Sequence, residues 1–74
     1  MKFDFVVLGA TGEQGSIATR DLANNGYSVL ACGRNLGRVK PLLKNPKVKF
    51  AYANVRDVNQ TASLIKKSGA KIVL

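Results

Sequence analysis

The sequence predicts an α/β protein, a doubly wound parallel sheet with helices on both of its faces. Three observations carry this prediction. Short apolar runs alternate with segments whose apolar residues recur at helical spacing, the connections are short, and a glycine-rich segment follows the first run. This alternation implies parallel strands joined by right-handed crossovers. We therefore expect the order βαβαβαβ, with four strands, in one domain that covers residues 1–74.

The first half of the chain predicts a strand, a helix and a second strand. Residues 3–8 are rich in β-branched and aromatic types and stop at a glycine, as a short strand does. Residues 13–25 carry apolar positions at helical spacing, and Gly26 follows where a helix would end. Residues 27–32 form the second apolar run, which stops at Gly33.

A second helix is expected to follow the second strand. Asn35 can cap a helical turn whose apolar positions lie within residues 36–43. Pro41 lies inside that pattern, where proline removes a backbone donor and clashes with the preceding turn. The sequence therefore predicts a short, kinked or two-piece helix.

The remaining segments predict a strand, a helix and a last strand. Apolar side chains alternate with basic or small ones over residues 48–52, which indicates a strand with one wet face near a sheet edge. Asp57 and Gln60 stand three apart, a variant capping box that opens a helix ending at Gly69. Residues 71–74 form the fourth strand, and its unpaired edge favours self-association.

Length and composition exclude several classes of protein. A chain of 74 residues is close to the size at which folding buries only about 60% of the unfolded surface. With no His and one Cys, Cys32, it cannot form Cys/His zinc sites, Ser-His-Asp or Cys-His nucleophiles, or disulfide frameworks. No apolar run approaches the roughly 20 residues that span a bilayer, and the N-terminus does not resemble a secretory signal. We therefore expect no membrane association and a reduced, cytoplasmic setting.

The strongest functional signal lies between the first strand and the first helix. Its G-x-x-G-x-x-G spacing is a variant of the dinucleotide fingerprint of Rossmann-like folds. A pyrophosphate needs converging backbone N–H donors at a helix N-terminus, and side chains would hold it too far away. Gly9 is expected to permit the tight turn, Gly12 the close approach of the cofactor, and Gly15 the packing of helix on strand. The whole predicted segment reads Gly9-Ala10-Thr11-Gly12-Glu13-Gln14-Gly15.

Two residues of this segment have more than one interpretation. Thr11 either supplies a hydroxyl to phosphate or satisfies the loop backbone. Glu13 would compete with a bound anion in the first helical turn, unless its side chain points to solvent. Ordinary loop glycines are the alternative to the motif as a whole, and the register of strand, motif, helix and following strand disfavours it.

The end of the second strand indicates which dinucleotide is bound. An acidic residue about 20 positions beyond the motif binds the ribose 2′-OH of NAD, whereas an Arg accommodates the 2′-phosphate of NADP. This chain has Gly33, Arg34 and Asn35 there, and no acid within residues 22–56. NADP is therefore favoured over NAD, with Arg34 and Arg38 as candidate phosphate ligands. The alternative is that both guanidinium groups belong to a solvated basic surface.

Further candidate residues lie directly after the third strand and at the end of the second strand. Asn54 could pair with the adenine amino edge, because its amide offers both a donor and an acceptor, and Val55 belongs to the same cofactor-binding segment. Asp57 is interpreted as a helix cap. Cys32 is interpreted as a small buried residue. The sequence therefore indicates no catalytic residue and no metal ligand.

The net charge of +8 is unevenly distributed. Residues 34–74 contain ten of the twelve basic residues and one of the four acids, which gives +9, whereas residues 1–33 sum to −1. A basic surface attracts phosphorylated ligands, membranes or nucleic acid. The aromatic residues of the basic half are only Phe50 and Tyr52, and no nucleic-acid motif accompanies them, so a nucleic-acid-binding module is a distant alternative.

These residues resemble a known family. Residues 7–22, which contain Gly-Ala-Thr-Gly-Glu-Gln-Gly, are similar to the N-terminal NAD(P)-binding domain of saccharopine dehydrogenase/reductase-like proteins, and the resemblance covers the whole chain. Residues 33–34 and 54–57 also resemble that family, although an Asp-Val pair is usual where this chain has Asn54 and Val55. The glycine string is shared with atypical short-chain dehydrogenases of the NmrA-like kind.

The resemblance implies an oxidoreductase that moves a hydride between a nicotinamide cofactor and a substrate of the amino-acid or imine type. Such enzymes carry a substrate domain further along, so the chain is expected to be an N-terminal fragment that is not active alone. The resemblance assigns cofactor contacts to Gly9, Gly12, Gly15, Arg34 and Asn54. An NmrA-like regulator, which would sense NAD(P) without turning it over, is the alternative.

Overall fold

The computed structural model describes residues 2–74 and contains four strands, two α-helices and one 3-10 helix. The sequence of elements confirms the predicted alternation of strand and helical segments. In chain order they are β1 (Phe5–Leu8), α1 (Glu13–Asn24), β2 (Val29–Gly33), the 3-10 helix (Lys40–Lys44), β3 (Val48–Tyr52), α2 (Val58–Ser68) and β4 (Ile72–Val73).

The four strands form one parallel sheet in the order β3-β2-β1-β4. β1 lies between β2 and β4, with Phe5 in register with Val29 on one side and with Ile72 on the other. The chain moves outward from β1 to β3 and then returns to the opposite side of β1. This reversal beside β1 is the topological switch point at which doubly wound folds bind ligands.

The sheet is covered on both faces, as a doubly wound fold requires. Val7 faces a core that includes Ala23 of α1 and Val39 from the segment before the 3-10 helix. Its neighbour Val6 faces the opposite core, against which Leu64 of α2 packs. Side chains alternate across a strand, so a central strand with two covered faces has no wet side. This explains why β2 is buried along its whole length.

The second predicted helix is the element that differs most from expectation. Asn35 does not cap a helix; its Oδ1 accepts a hydrogen bond from Gly37 N at 2.8 Å and closes a turn. Regular helical structure begins only at Lys40 and is a 3-10 helix of five residues, with Pro41 in its first turn. Proline is tolerated there, because the first N–H groups of a helix have no internal partner.

The second α-helix begins and ends as predicted. Asp57 is the N-cap of α2, and its Oδ1 accepts a hydrogen bond from Gln60 N at 3.1 Å. Gly69 follows the helix in the left-handed conformation, with φ of +70°. The reciprocal half of the capping box is absent from the described hydrogen bonds, because the Gln60 side chain turns toward Asn54 and Tyr52 instead.

Both edges of the sheet are formed by elements of the basic half of the chain. β3 lies at one edge, as its alternating pattern predicts, and Lys49 is exposed there. β4 lies at the other edge, and Ile72, Val73 and Leu74 are each about half exposed. Neither a helix long and apolar enough to cross a membrane nor a cluster of three potential metal ligands occurs within residues 2–74.

Removal of the α2 cap should destabilise the fold. Asp57→Ala leaves Gln60 N without its acceptor, and we expect a loss of about 1 kcal/mol in the free energy of unfolding, measured by urea denaturation. Asp21→Ala is the matched control, since that carboxylate forms only an exposed pair with Arg20 at 3.2 Å. Equal effects of the two substitutions would contradict the capping role.

Candidate functional site

The predicted site segments meet at the carboxyl edge of the sheet, where backbone hydrogen bonds join their ends. Ala10 N, in the loop after β1, donates to Cys32 O at 2.9 Å. Ala53 N, directly after β3, donates to Gly33 O at 2.9 Å. On the other side of β1, Leu8 N donates to Leu74 O at 2.8 Å. The structure therefore brings the glycine-rich loop, the end of β2 and the segment after β3 to one edge.

The glycines at 9 and 15 of the loop are required by geometry. Gly9 has φ of +69°, a left-handed conformation in which other residues are strained, and its carbonyl accepts from Gly12 N at 3.0 Å. A Cβ at position 15 would overlap the Gly9 carbonyl oxygen and lie 2.8 Å from Ala10 Cα. Gly15 therefore permits the first turn of α1 to lie directly against the loop that leaves β1.

The N-terminus of α1 has unused hydrogen-bond donors. Its N-cap residue is Gly12, so no side chain caps the helix. In the hydrogen bonds of residues 2–74, the backbone N–H groups of Glu13, Gln14 and Gly15 have no acceptor. Together with the helix dipole, these three groups offer partial positive charge to an anion. The Glu13 side chain is exposed, so the carboxylate does not fill the position itself.

Thr11 lies between the loop and the second strand. It is half-buried, and no described hydrogen bond involves its hydroxyl. Its side chain instead packs over Gly33, the last residue of β2. A Cβ at position 33 would lie 2.7 Å from Thr11 Cγ2 and 3.0 Å from Thr11 Oγ1. The contact of loop and strand therefore depends on the missing side chain of Gly33.

The predicted phosphate ligands follow β2 on the surface. Arg34, Asn35 and Arg38 are all exposed. The one ion pair found within residues 2–74 joins Arg20 and Asp21, so neither Arg34 nor Arg38 is neutralised by a carboxylate in the described part of the chain. Both guanidinium groups are therefore exposed and without an ion pair among the described residues, and Arg34 directly follows the end of β2.

Asn54 forms a turn after β3 and keeps part of its hydrogen-bonding capacity. Its Oδ1 accepts from Arg56 N at 3.0 Å, and its carbonyl accepts from the Thr61 hydroxyl at 3.3 Å. The Asn54 amide nitrogen, Nδ2, has no acceptor among residues 2–74. Val55, the next residue in the chain, is 56% exposed, so its apolar side chain is accessible to solvent.

Gln60 supports this turn and was not identified from the sequence as a residue of the edge. Its Nε2 donates to Tyr52 O at 3.3 Å, and its Oε1 accepts from Asn54 N at 3.5 Å. The spacing of Gln60 from Asp57 marked it as a capping residue, and only the return of α2 toward β3 brings its side chain to the strand end.

Cys32 is buried near the carboxyl end of β2, as the sequence indicates. Burial raises the pKa of the Cys32 thiol from 9.0 to about 11, because desolvation disfavours the thiolate. The side chain belongs to the core that contains Val6 and Leu30. A protonated, buried thiol is not a nucleophile, so Cys32 has a packing role.

Comparison with known proteins supports the fold class. No protein-family model matches the chain, and no curated protein matches it. Among solved structures, the chain is similar to serine dehydrogenase from Escherichia coli, with a TM-score of 0.77 and 24% sequence identity. The match covers 93% of this chain and 35% of that one, so the chain spans about a third of the length of the serine dehydrogenase. The chain thus has a Rossmann-like α/β fold.

Gly15→Ala should destabilise the fold, whereas Gly12→Ala should leave its stability nearly unchanged. Helix propensity alone would make Gly15→Ala stabilising by about 1 kcal/mol. However, the new Cβ would overlap Gly9 and Ala10 and would push the loop away from α1. We expect a net loss of about 1–3 kcal/mol, measured by urea denaturation. Gly12→Ala is the control, because its Cβ would lie 3.4 Å from Gly9 O, at φ of −79°. A stable Gly15→Ala variant would contradict the close packing.

The raised pKa of Cys32 predicts a pH-dependent stability. Above pH 9 the unfolded thiol ionises while the folded thiol stays protonated, so the unfolded state binds fewer protons and stability falls as pH rises. We expect a loss of about 1–2 kcal/mol between pH 9 and 11. Cys32→Ala should lose this component of the slope. Identical pH profiles for the two proteins would contradict the buried thiol.

Proposed function

We propose that the chain binds the pyrophosphate of a nicotinamide dinucleotide at residues 9–15. The observation that carries this proposal is the uncapped start of α1, where the N–H groups of Glu13, Gln14 and Gly15 have no acceptor in the described structure. An anion that accepts from these donors satisfies both the hydrogen bonds and the helix dipole. Ala10, Thr11 and the three glycines form the loop around it. The reversal of strand order beside β1 supports this location.

We propose further that NADP is preferred over NAD. The end of β2 carries Gly33, which has no side chain to bind a ribose hydroxyl, and no carboxylate follows it until Asp57. Arg34 and Arg38 have no carboxylate partner in the described part of the chain, and Asn35 lies between them in a turn. Guanidinium groups match the geometry of a phosphate, which supports their role as ligands of the 2′-phosphate.

The adenine is proposed to lie beside the turn after β3. The Asn54 amide nitrogen is the available donor there, while its oxygen is already used by Arg56 N. An adenine ring nitrogen is therefore a better partner for Asn54 than the adenine amino group. The exposed Val55 side chain supplies apolar contact area for the ring.

The activity proposed for the whole protein is hydride transfer as part of an oxidoreductase of the saccharopine dehydrogenase-like type, with an amino-acid or imine substrate. The likeness of the fold to a serine dehydrogenase is consistent with this class. The nicotinamide would supply the redox chemistry, so the absence of His from the chain is no obstacle. We assign no catalytic residue to the chain and propose that a substrate domain completes the enzyme, in the reducing cytoplasm.

Cofactor selectivity tests the proposal. We expect NADPH to bind more tightly than NADH in a titration of nicotinamide fluorescence, and Arg34→Asp to narrow or reverse that preference by roughly 10–100-fold, the range of one charge-assisted phosphate contact. Lys67→Asp, the same charge change on α2, should leave the preference unchanged. Equal affinities in the unsubstituted protein would exclude the role of Arg34.

Gly12→Ala should weaken cofactor binding without affecting the stability of the fold. The added methyl group fits the fold but occupies the space in which a pyrophosphate would approach the helix. This variant should unfold like the unsubstituted protein and bind both cofactors weakly. Unchanged affinity would place the pyrophosphate elsewhere.

A further inference from the structure

The contact of Thr11 with Gly33 joins two segments of the proposed site. Gly33 is buried at the end of β2, and it does not have a positive φ, so backbone conformation does not require a glycine there. The lack of space requires a glycine instead, because a Cβ at position 33 would lie 2.7 Å and 3.0 Å from the two γ atoms of Thr11. The reason for glycine at position 33 is therefore the side chain of Thr11.

Rotation of Thr11 cannot remove this contact. A threonine side chain fills two of the three staggered positions around χ1, and both filled positions here face Gly33. Any other rotamer still leaves at least one of these two positions occupied. A serine has a single γ atom, which can rotate into the third position.

The loop also cannot easily lift away from β2. Ala10 is buried, and its N–H donates to Cys32 O at 2.9 Å, which holds the residue before Thr11 against the strand. A larger residue at position 33 would therefore either break this hydrogen bond or displace the loop that precedes α1. Both changes would move the proposed pyrophosphate site.

We propose that Thr11 is a specificity-determining and positioning residue. Its side chain covers the position at which β2 would present a carboxylate to a ribose, and it ties the glycine-rich loop to the end of that strand. Thr11 thus excludes the acidic residue that NAD binding favours, and selection of NADP rests on Thr11 and Gly33 together with Arg34. This inference rests on the proposed dinucleotide function.

Stability measurements test the contact without any cofactor. Gly33→Ala should lower the melting temperature by about 4–8 °C, because the overlap has to be relieved by displacement of the loop. Adding Thr11→Ser or Thr11→Ala should restore most of this loss, since the Thr11 Cβ itself lies at an ordinary 3.4 Å from the new methyl group. Adding Thr11→Val, which keeps both γ positions filled, should not.

Cofactor titration tests the effect on selectivity. Gly33→Asp alone should weaken NADPH and NADH binding by at least about tenfold, because the displaced loop no longer holds the pyrophosphate. Adding Thr11→Ser should restore NADH binding but not NADPH binding, because the carboxylate then fits and repels a 2′-phosphate. Adding Thr11→Val should restore neither.

The stability measurements and the cofactor titrations would be contradicted by different results. An unchanged melting temperature for Gly33→Ala, or equal rescue by serine and valine, would overturn the steric contact. Recovery of NADH affinity by Gly33→Asp alone would overturn the role of Thr11 in selectivity. An unsubstituted protein that binds neither cofactor would overturn the proposed function and the selectivity with it, whereas the melting temperatures would still decide the contact.

Discussion

The close approach of α1 to the loop after β1 is the constraint on which the rest of the structure depends. The first turn of the helix lies against Gly9 and Ala10 because position 15 has no side chain. That approach places Ala23, near the other end of α1, in the core with Val7. It also places the free N–H groups of the helix at the carboxyl edge of the sheet, beside the end of β2. The absence of a Cβ at position 15 therefore permits both the packing of the core and the position of the free N–H groups.

The small core is divided by the sheet, which explains why the central strands tolerate so little polarity. Val6 and Val7 point to opposite cores, and β2 is buried along its whole length. Cys32 belongs to the core that contains Val6, where it contributes as an apolar group, and burial keeps its thiol protonated. A domain of this size has little stability to spare, so the glycine contacts at its edge matter for folding as well as for any ligand.

Features that are local in sequence could be predicted, and those that depend on distant contacts could not. The order of strands and helices, the Asp57 cap and the turn at Gly9 all follow from short patterns. The segment after Asn35 was predicted less well, because a turn closed by its side chain and a 3-10 helix with Pro41 carry the same apolar spacing as a short α-helix. The packing of Thr11 on Gly33 could not be predicted, since it exists only once β1 and β2 pair.

The uneven charge distribution bears on the proposed site only because β1 and β2 pair. Residues 1–33, which contain the glycine-rich loop, carry a net charge of −1 and include Glu13 in the first turn of α1. The helix N-terminus alone therefore has a weak attraction for an anion in solution. Parallel pairing of β2 with β1 brings the start of the basic segment, Arg34, to the same edge of the sheet as the loop. In the proposed site, the backbone donors would supply short-range geometry and the guanidinium groups longer-range attraction, so the proposal depends on both halves of the sequence.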